Sequence, residues 1–338
     1  MYTKLFAPMK AILLHHNGGP EQLRLGEASV PTVGSLDLLV KMNVSGVNFV
    51  DIYLRDGLYP IPSFPHILGI EGAGTVVEKG DLVTDFCIGD RVGFAYTGSG
   101  SYAEYTCVKA ERAIPLPESI GFETAAACLL QGLTAHFLTH TTFPLKPQQT
   151  ILVHAAAGGV GGLIVQMAKL MGATVLGTVS TPEKAQVARS NGADQVILYH
   201  QNDFETEVMD FTNGIGVDVV YDSVGVDTFH KSLNLLKNCG MLVLFGQSSG
   251  LTPPFDLNRL CNRSSERGSF FVTRPTIRHY IKGNILRERA ADLFNYLNTG
   301  KIKVRVGHRY SLTDAANAHR DLSARLTIGK SILKISSD

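Results

Sequence analysis

Thr150-Ile-Leu-Val-His-Ala-Ala-Ala-Gly-Gly-Val-Gly-Gly-Leu-Ile-Val-Gln-Met-Ala-Lys-Leu-Met171 decides the fold of this 338-residue chain. Thr150 to His154 is a short, nearly all-apolar run, which predicts a strand buried on both faces. From Gly158 to Met171 the apolar residues Val160, Leu163, Ile164, Met167, Ala168 and Met171 keep a helical spacing. The loop between them carries the G-x-G-x-x-G pattern as Ala156-Ala157-Gly158-Gly159-Val160-Gly161, with alanine at the first glycine. Such a pattern alone is weak; between a strand and a helix it reads as a dinucleotide loop. Bare backbone lets a phosphate approach, and the helix amino terminus offers free N–H groups and a partial positive charge. The competing reading is a tight turn that only lets helix pack on strand.

Downstream the rhythm of strand and helix continues. Strands are predicted at Ala173–Val179, Gln195–Leu198, Val217–Tyr221 and Met241–Phe245, with helices near 203–213 and 227–237. Thr181-Pro182-Glu183 opens a further helix with a capping hydroxyl and a first-turn proline, and Gly192 closes it. Right-handed crossovers then give a doubly wound parallel sheet. Upstream, to about Gly132, short apolar runs alternate with Gly and Asp, which predicts a small twisted or barrel-like β domain. After about Arg274 the pattern turns irregular, and the chain is expected to return to complete the first domain. No internal repeat is present.

Two nicotinamide dinucleotides are separated by the end of the second strand. NAD calls for an Asp or Glu about 20 residues beyond the loop to bind the ribose hydroxyls. That place is Ser180, followed by Lys184 one helical turn on, and the pair favours NADPH. Glu183 is an adverse charge there, and Lys184 as a solvated surface lysine is the bland alternative.

Composition removes other classes. There are 31 Lys+Arg against 30 Asp+Glu and a formal net charge of +1, so no global field gathers nucleic acid or anionic lipid. Five widely spaced cysteines without a CxxC pair argue against a disulfide framework or a structural zinc module, and read as small, mostly buried thiols of a reducing compartment. Pro8 and Lys10 interrupt the amino-terminal apolar stretch before a signal-type region forms. No segment holds the roughly 18 uninterrupted apolar residues of a membrane span. A cytoplasmic protein is expected.

Taken together, His16-Asn-Gly-Gly-Pro-Glu21, Gly46-Val-Asn-Phe-Val-Asp-Ile-Tyr53, Arg55-Asp-Gly-Leu-Tyr59, Gln131-Gly-Leu-Thr134, Ala155 to Gly162, Tyr221-Asp-Ser-Val-Gly225, Phe245-Gly-Gln-Ser-Ser249 and Val272-Thr-Arg-Pro275 resemble the quinone oxidoreductases. These form the zeta-crystallin-like, zinc-independent branch of the medium-chain dehydrogenase/reductases, and the resemblance runs nearly end to end. It implies a GroES-like substrate domain from 1–131 and 274–338 and a Rossmann NADPH-binding domain over 132–273. The zinc branch of that superfamily has its first ligand cysteine where Asn48 stands, and its Gly-His-Glu motif appears as Gly69-Ile70-Glu71. The four-cysteine structural lobe is absent, so no metal is expected, and Glu71 reads as a hydrogen-bonding carboxylate.

Without a Lewis acid the acceptor must be electron-poor by itself, as quinones and conjugated carbonyls are. The resemblance puts Asn48 and Tyr53 beside the nicotinamide, in an interdomain cleft, as donors to the acceptor oxygen, with Tyr59 as a stacking wall or further hydroxyl. The plainer readings are a turn residue for Asn48 and packing for the tyrosines. The resemblance also implies Thr134 near the nicotinamide end and Ser180, Lys184, Tyr199 and Arg325 around the 2′-phosphate. Ser223, Phe245, Gln247 and Ser248 would border the cofactor, with Phe271 and Thr273 near the domain junction; for Ser223 and Ser248 a turn hydroxyl is the alternative. Gln131 stands where the family often has lysine, and Gln247 where it often has asparagine. The expected activity is NADPH-dependent quinone reduction. The alternatives are an enone or alkenal double-bond reductase and a non-enzymatic NADPH- or RNA-binding crystallin-like protein, the RNA role opposed by the lack of a basic, aromatic-interleaved stripe. A homodimer through sheet edges near 241–247 and 268–273 is implied as well.

Overall fold

A computed structural model describes residues 7–98, 100–261 and 267–335. Met1–Phe6, part of the amino-terminal stretch read above, lie outside them. Contacts divide the chain into two units: residues 1–130, 283–294 and 304–338 form one, and 131–282 with 295–303 form the other.

The first unit opens with β1 (Met9–Leu14), β2 (Leu23–Ala28), β3 (Asp37–Val47) and the helix α1 (Phe49–Arg55). It continues with β4 (His66–Ile67), β5 (Glu71–Lys79), β6 (Arg91–Ala95), β7 (Tyr105–Lys109) and β8 (Ala113–Pro115). Helix α2 (Phe122–Phe137) leads out of it. The carboxyl-terminal return supplies β15 (Val306–Ser311), α9 (Ala315–Ser323) and β16 (Lys330–Lys334). Two sheets result, ordered β2-β1-β4 and β15-β16-β3-β5-β6-β8, with β7 also pairing β3. β16 runs antiparallel to β3 with Ser331 opposite Val47, so Lys330 falls beside Asn48, the residue that follows β3.

The second unit carries β9 (Thr150–His154), α3 (Gly159–Leu170), β10 (Thr174–Val179), α4 (Pro182–Ser190) and β11 (Gln195–Leu198). Then come α5 (Phe204–Phe211), β12 (Val217–Asp222), α6 (Phe229–Asn234), β13 (Leu236–Leu244), α7 (Asn258–Cys261) and β14 (Phe271–Thr273). All pairings are parallel, in the order β11-β10-β9-β12-β13-β14. This is the doubly wound order, in which ligands sit at the carboxyl ends where the winding reverses, here between β9 and β12. Leu152, Leu176, Ile197, Val220 and Leu242 pack one core of this unit. Each such side chain removed from water contributes about 1.5–3 kcal/mol before entropy is counted. At α4 Thr181 accepts the Lys184 N–H (3.3 Å), Pro182 takes the first position, and Gly192 at φ +105° ends the helix.

Two sequence expectations need correction. The stretch after Arg274 holds a regular fifteen-residue helix, α8 (Asn284–Asn298), whose buried Leu286, Ala290, Leu293 and Phe294 make an ordinary helical stripe. Charged residues between those positions hide the stripe in a linear reading. The cysteines are not mostly buried: Cys128 is, Cys107 is half-buried, and Cys87, Cys239 and Cys261 are exposed. The burial habit of cysteine is an average over proteins, and it says nothing of where turns place a given thiol.

Candidate active site

In the second unit the glycine loop stands where the sequence puts it. Gly158 caps α3 in an extended conformation, and Gly162 N–H is bonded back to Gly158 O (2.8 Å). The N–H groups of Gly159, Val160 and Gly161 therefore precede the first helical bond and face past the helix start. A Cβ at Gly159 would overlap the Gln131 side-chain amide, and one at Gly161 would run into the Ala155 carbonyl oxygen. This is a cradle of bare main chain that fits a pyrophosphate.

Nearby groups of the same unit are consistent with a longer ligand. Ser180 and Tyr199 follow adjacent strands β10 and β11, and the Tyr199 N–H donates to Val179 O (3.3 Å), drawing the two strand ends together. Lys184 lies on the first turn of α4, half-buried. The Glu183 carboxyl is held below its ordinary range by its own backbone N–H and the Thr181 hydroxyl, so the helix start absorbs its charge. Thr134 is half-buried on α2. The Ser248 N–H donates to Ser223 O (3.1 Å), joining the loops after β12 and β13. Phe245 begins the β13 loop, and Arg274 holds Gln247 through its side-chain oxygen (2.9 Å) and binds Leu244 O (3.1 Å). Phe271 and Thr273 belong to β14, the sheet's edge. Arg325, exposed at φ +59°, belongs to the other unit.

Asp222 was not singled out from the sequence. Fully buried at the end of β12, it accepts from Val224 N–H (2.7 Å), Gly225 N–H (3.2 Å), the Thr228 hydroxyl (2.7 Å) and the Ser232 hydroxyl (3.2 Å). It thereby stiffens the Ser223–Gly225 loop. The buried His154 spends both ring nitrogens on Thr178 (2.8 Å) and Ser232 (2.9 Å), a satisfied core histidine.

In the first unit Asn48 is buried at the start of α1, and its N–H donates to Asp51 Oδ2 (2.9 Å). Its side chain turns to two partners from distant strands. Nδ2 donates to Glu71 Oε2 (2.9 Å), and Oδ1 accepts from Lys330 Nζ (2.6 Å). Lys330 also donates to Glu71 Oε2 (2.6 Å), while Glu71 Oε1 accepts the Leu130 N–H (2.6 Å). Burial, reinforced by the Glu71 charge, pushes the neighbouring Cys128 thiol upward. Tyr53 on α1 and Tyr59 are half-buried and meet edge to face, with centroids 5.3 Å apart.

A second buried chain of bonds runs from Asp51. Arg55 Nη1 can only donate, so His319 Nδ1 (3.3 Å away) accepts and Nε2 carries the hydrogen. Nε2 then donates to the Tyr102 oxygen (3.0 Å), and the Tyr102 hydroxyl bonds Asp51. Burial pushes Asp51 up to about 7 despite these donors, and its Oδ1 has no partner among the described residues. Burial, and then the Arg55 charge, pull His319 down to about 3.

A β unit of this topology joined to a doubly wound dinucleotide-type sheet defines a medium-chain dehydrogenase/reductase. Family models agree: alcohol dehydrogenase GroES-like domain over residues 34–118 and zinc-binding dehydrogenase over 159–283. A quinone oxidoreductase of Pseudomonas aeruginosa is 42% identical over 94% of this chain and 96% of its own length. A 2-haloacrylate reductase of Burkholderia is 38% identical over 96% and 98%. The crystal structure of Escherichia coli quinone oxidoreductase complexed with NADPH superposes with a TM-score of 0.93 at 42% identity, covering 97% of this chain and all of that one. The chain belongs to the quinone oxidoreductase family.

The zinc named by one family model does not fit the residues present. Among the described residues no group of three or more His, Cys, Asp or Glu is arranged to hold a metal. Glu71, the one carboxylate retained from the metal-binding motif, has both oxygens engaged by Asn48, Lys330 and Leu130. A cation there would have to displace the ammonium.

Proposed function

We propose that this oxidoreductase uses NADPH to reduce quinones. The observation that carries the reading is the buried Asn48–Glu71–Lys330 group. It occupies the metal-binding motif with an ion pair and offers an amide donor, which suits an acceptor already activated by conjugation.

Bound NADPH supplies a hydride from its nicotinamide ring. The α3 start and Gly158–Gly161 hold the pyrophosphate, and Ser180, Lys184, Tyr199 and Arg325 receive the 2′-phosphate. Thr134, Ser223, Phe245, Gln247, Ser248, Phe271 and Thr273 line the remainder of the cofactor. The free hydrogen of Asn48 Nδ2 donates to the acceptor oxygen as negative charge builds on it. Tyr53 and Tyr59 present an aromatic wall and hydroxyls to the acceptor ring. Two electrons and one proton arrive with the hydride, and water gives the second proton to complete a hydroquinone. Of the two edges expected for pairing of two chains, the one near 241–247 falls in β13, which is paired on both sides by β12 and β14, so the pairing in this reading runs along the edge strand β14.

Steady-state consumption of NADPH and NADH with a 1,2-quinone and with a conjugated alkenal tests it. The expected result is quinone turnover with NADPH preferred at least ~10-fold in kcat/KM, the order of one charge-assisted phosphate contact. Turnover confined to alkenals would favour the second reading, a double-bond reductase, which the similarity to the 2-haloacrylate reductase supports. NADPH binding without turnover on either acceptor would favour a non-catalytic role. Lys184→Glu places a carboxylate against the 2′-phosphate, so KM for NADPH should rise ~10-fold or more while KM for NADH changes little. Equal effects on both cofactors would remove Lys184 from the phosphate site.

A further inference from the structure

Asn48 is useful as a donor only if its amide faces one way, and the two faces of an amide are nearly the same shape. The partners of this one are not interchangeable. Lys330 has hydrogens to give and no lone pair, whereas the Glu71 carboxylate has lone pairs and no hydrogen. A flipped amide would set Nδ2 against the ammonium and Oδ1 against the carboxylate, turning two attractive contacts into two repulsive ones. The observed orientation leaves the second Nδ2 hydrogen available to a ligand oxygen. All three side chains are buried, Lys330 at 1% exposure, so solvent does little to weaken the contacts.

We propose that Lys330 is a positioning residue for hydride acceptance, its ammonium holding Asn48 Oδ1 so that Nδ2 is presented to the acceptor oxygen. The pairing of β16 with β3 brings the lysine there, and the Asp51 carboxyl pins the Asn48 backbone from the other side. Lys330 thus brings an ammonium into the core of the first unit, where it contacts both Asn48 and Glu71. It acts through Asn48 and does not itself touch the acceptor. The inference rests on Asn48 being the donor.

The test compares Asn48→Ala, Lys330→Met and the double variant in kcat and KM with NADPH and a 1,2-quinone, beside NADPH affinity by fluorescence. Lys330→Met should lower kcat at least ~10-fold, part of the ~100-fold that one oxyanion donor contributes. NADPH affinity should stay within about twofold, since the cofactor cradle is untouched. The double variant should be no slower than Asn48→Ala alone, because residues acting as one unit are not additive. Full kcat in Lys330→Met, or multiplied losses in the double variant, would overturn the proposal. Full kcat in Asn48→Ala would instead overturn the donor reading beneath it. Lys330→Met leaves Glu71 buried without its cation, so the charge-neutral Glu71→Gln/Lys330→Met pair is measured alongside. It should melt near the parent temperature and show the same kcat loss; wild-type kcat in that pair also overturns the proposal.

Discussion

Gly161→Ala is expected to weaken NADPH binding at least ~100-fold, about 2.7 kcal/mol. The new methyl would run into the Ala155 carbonyl oxygen and lie 3.0 Å from the Ala155 carbonyl carbon and 3.2 Å from Ala156 Cα. These are backbone atoms in the strand-to-helix turn, and Ala155 is already at φ +53°. They can yield only if α3 moves off β9, which carries the Gly159–Gly161 N–H groups away from the phosphate. Gly162→Ala makes the contrast. Its methyl would meet Asn191 Nδ2 at 2.8 Å, the tip of a side chain that can swing aside. Titration of NADPH fluorescence, with circular dichroism to check folding, separates the two. Binding within threefold of wild type in a folded Gly161→Ala would remove the loop from the cofactor site.

A second large effect lies in stability against pH. The folded chain keeps a proton on Asp51 that the unfolded chain releases above 3.8, because burial lifts the folded value to about 7. It also refuses a proton on His319 that the unfolded chain binds below 6.5, because burial and Arg55 lower the folded value to about 3. The signs oppose. Asp51 contributes stability that is whole below 3.8 and is lost as pH rises through about 7. His319 contributes stability that is whole above 6.5 and is lost as pH falls through about 3. Between 3.8 and 6.5 the two slopes, each about 1.4 kcal/mol per pH unit, cancel. Asp51→Asn should therefore become more stable relative to wild type as pH rises across this window, and His319→Gln less stable. Urea unfolding at several pH values reads the slopes directly. Variants whose curves run parallel to wild type would show that neither group carries its proton as argued.

The second unit was legible in detail. Its strands are unbroken apolar runs, its helices keep a 3.6-residue period, and β9, α4 and β11 begin and end where turn and capping residues announce them. β13 and the helix before it are exceptions: β13 begins at Leu236 rather than Met241, because sheet pairing with β12 draws in Leu236 ahead of Asn238 and Cys239, and α6 therefore covers only Phe229–Asn234 instead of running to 237. The first unit was legible only as a class, since short strands with glycine turns do not reveal which strands pair. Of the candidate site, Asn48 and Glu71 could be marked because they stand in a recognisable motif. Lys330 carries no local signal, and neither do Asp51, Tyr102 and His319.

By itself the sequence determined the dinucleotide-type half and the serine, rather than a carboxylate, at position 180 where β10 ends, and its resemblance to the family marked Asn48 and Ile70 as standing where metal ligands would. Each depends on neighbours within one loop or one turn of helix, where local chemistry decides. Only the tertiary structure decided that Lys330 meets Glu71 from 259 positions away and Asn48 from 282. No periodicity reaches across such separations. The pairing of β16 with β3 creates that contact, and burial then makes the charges answer to one another rather than to water.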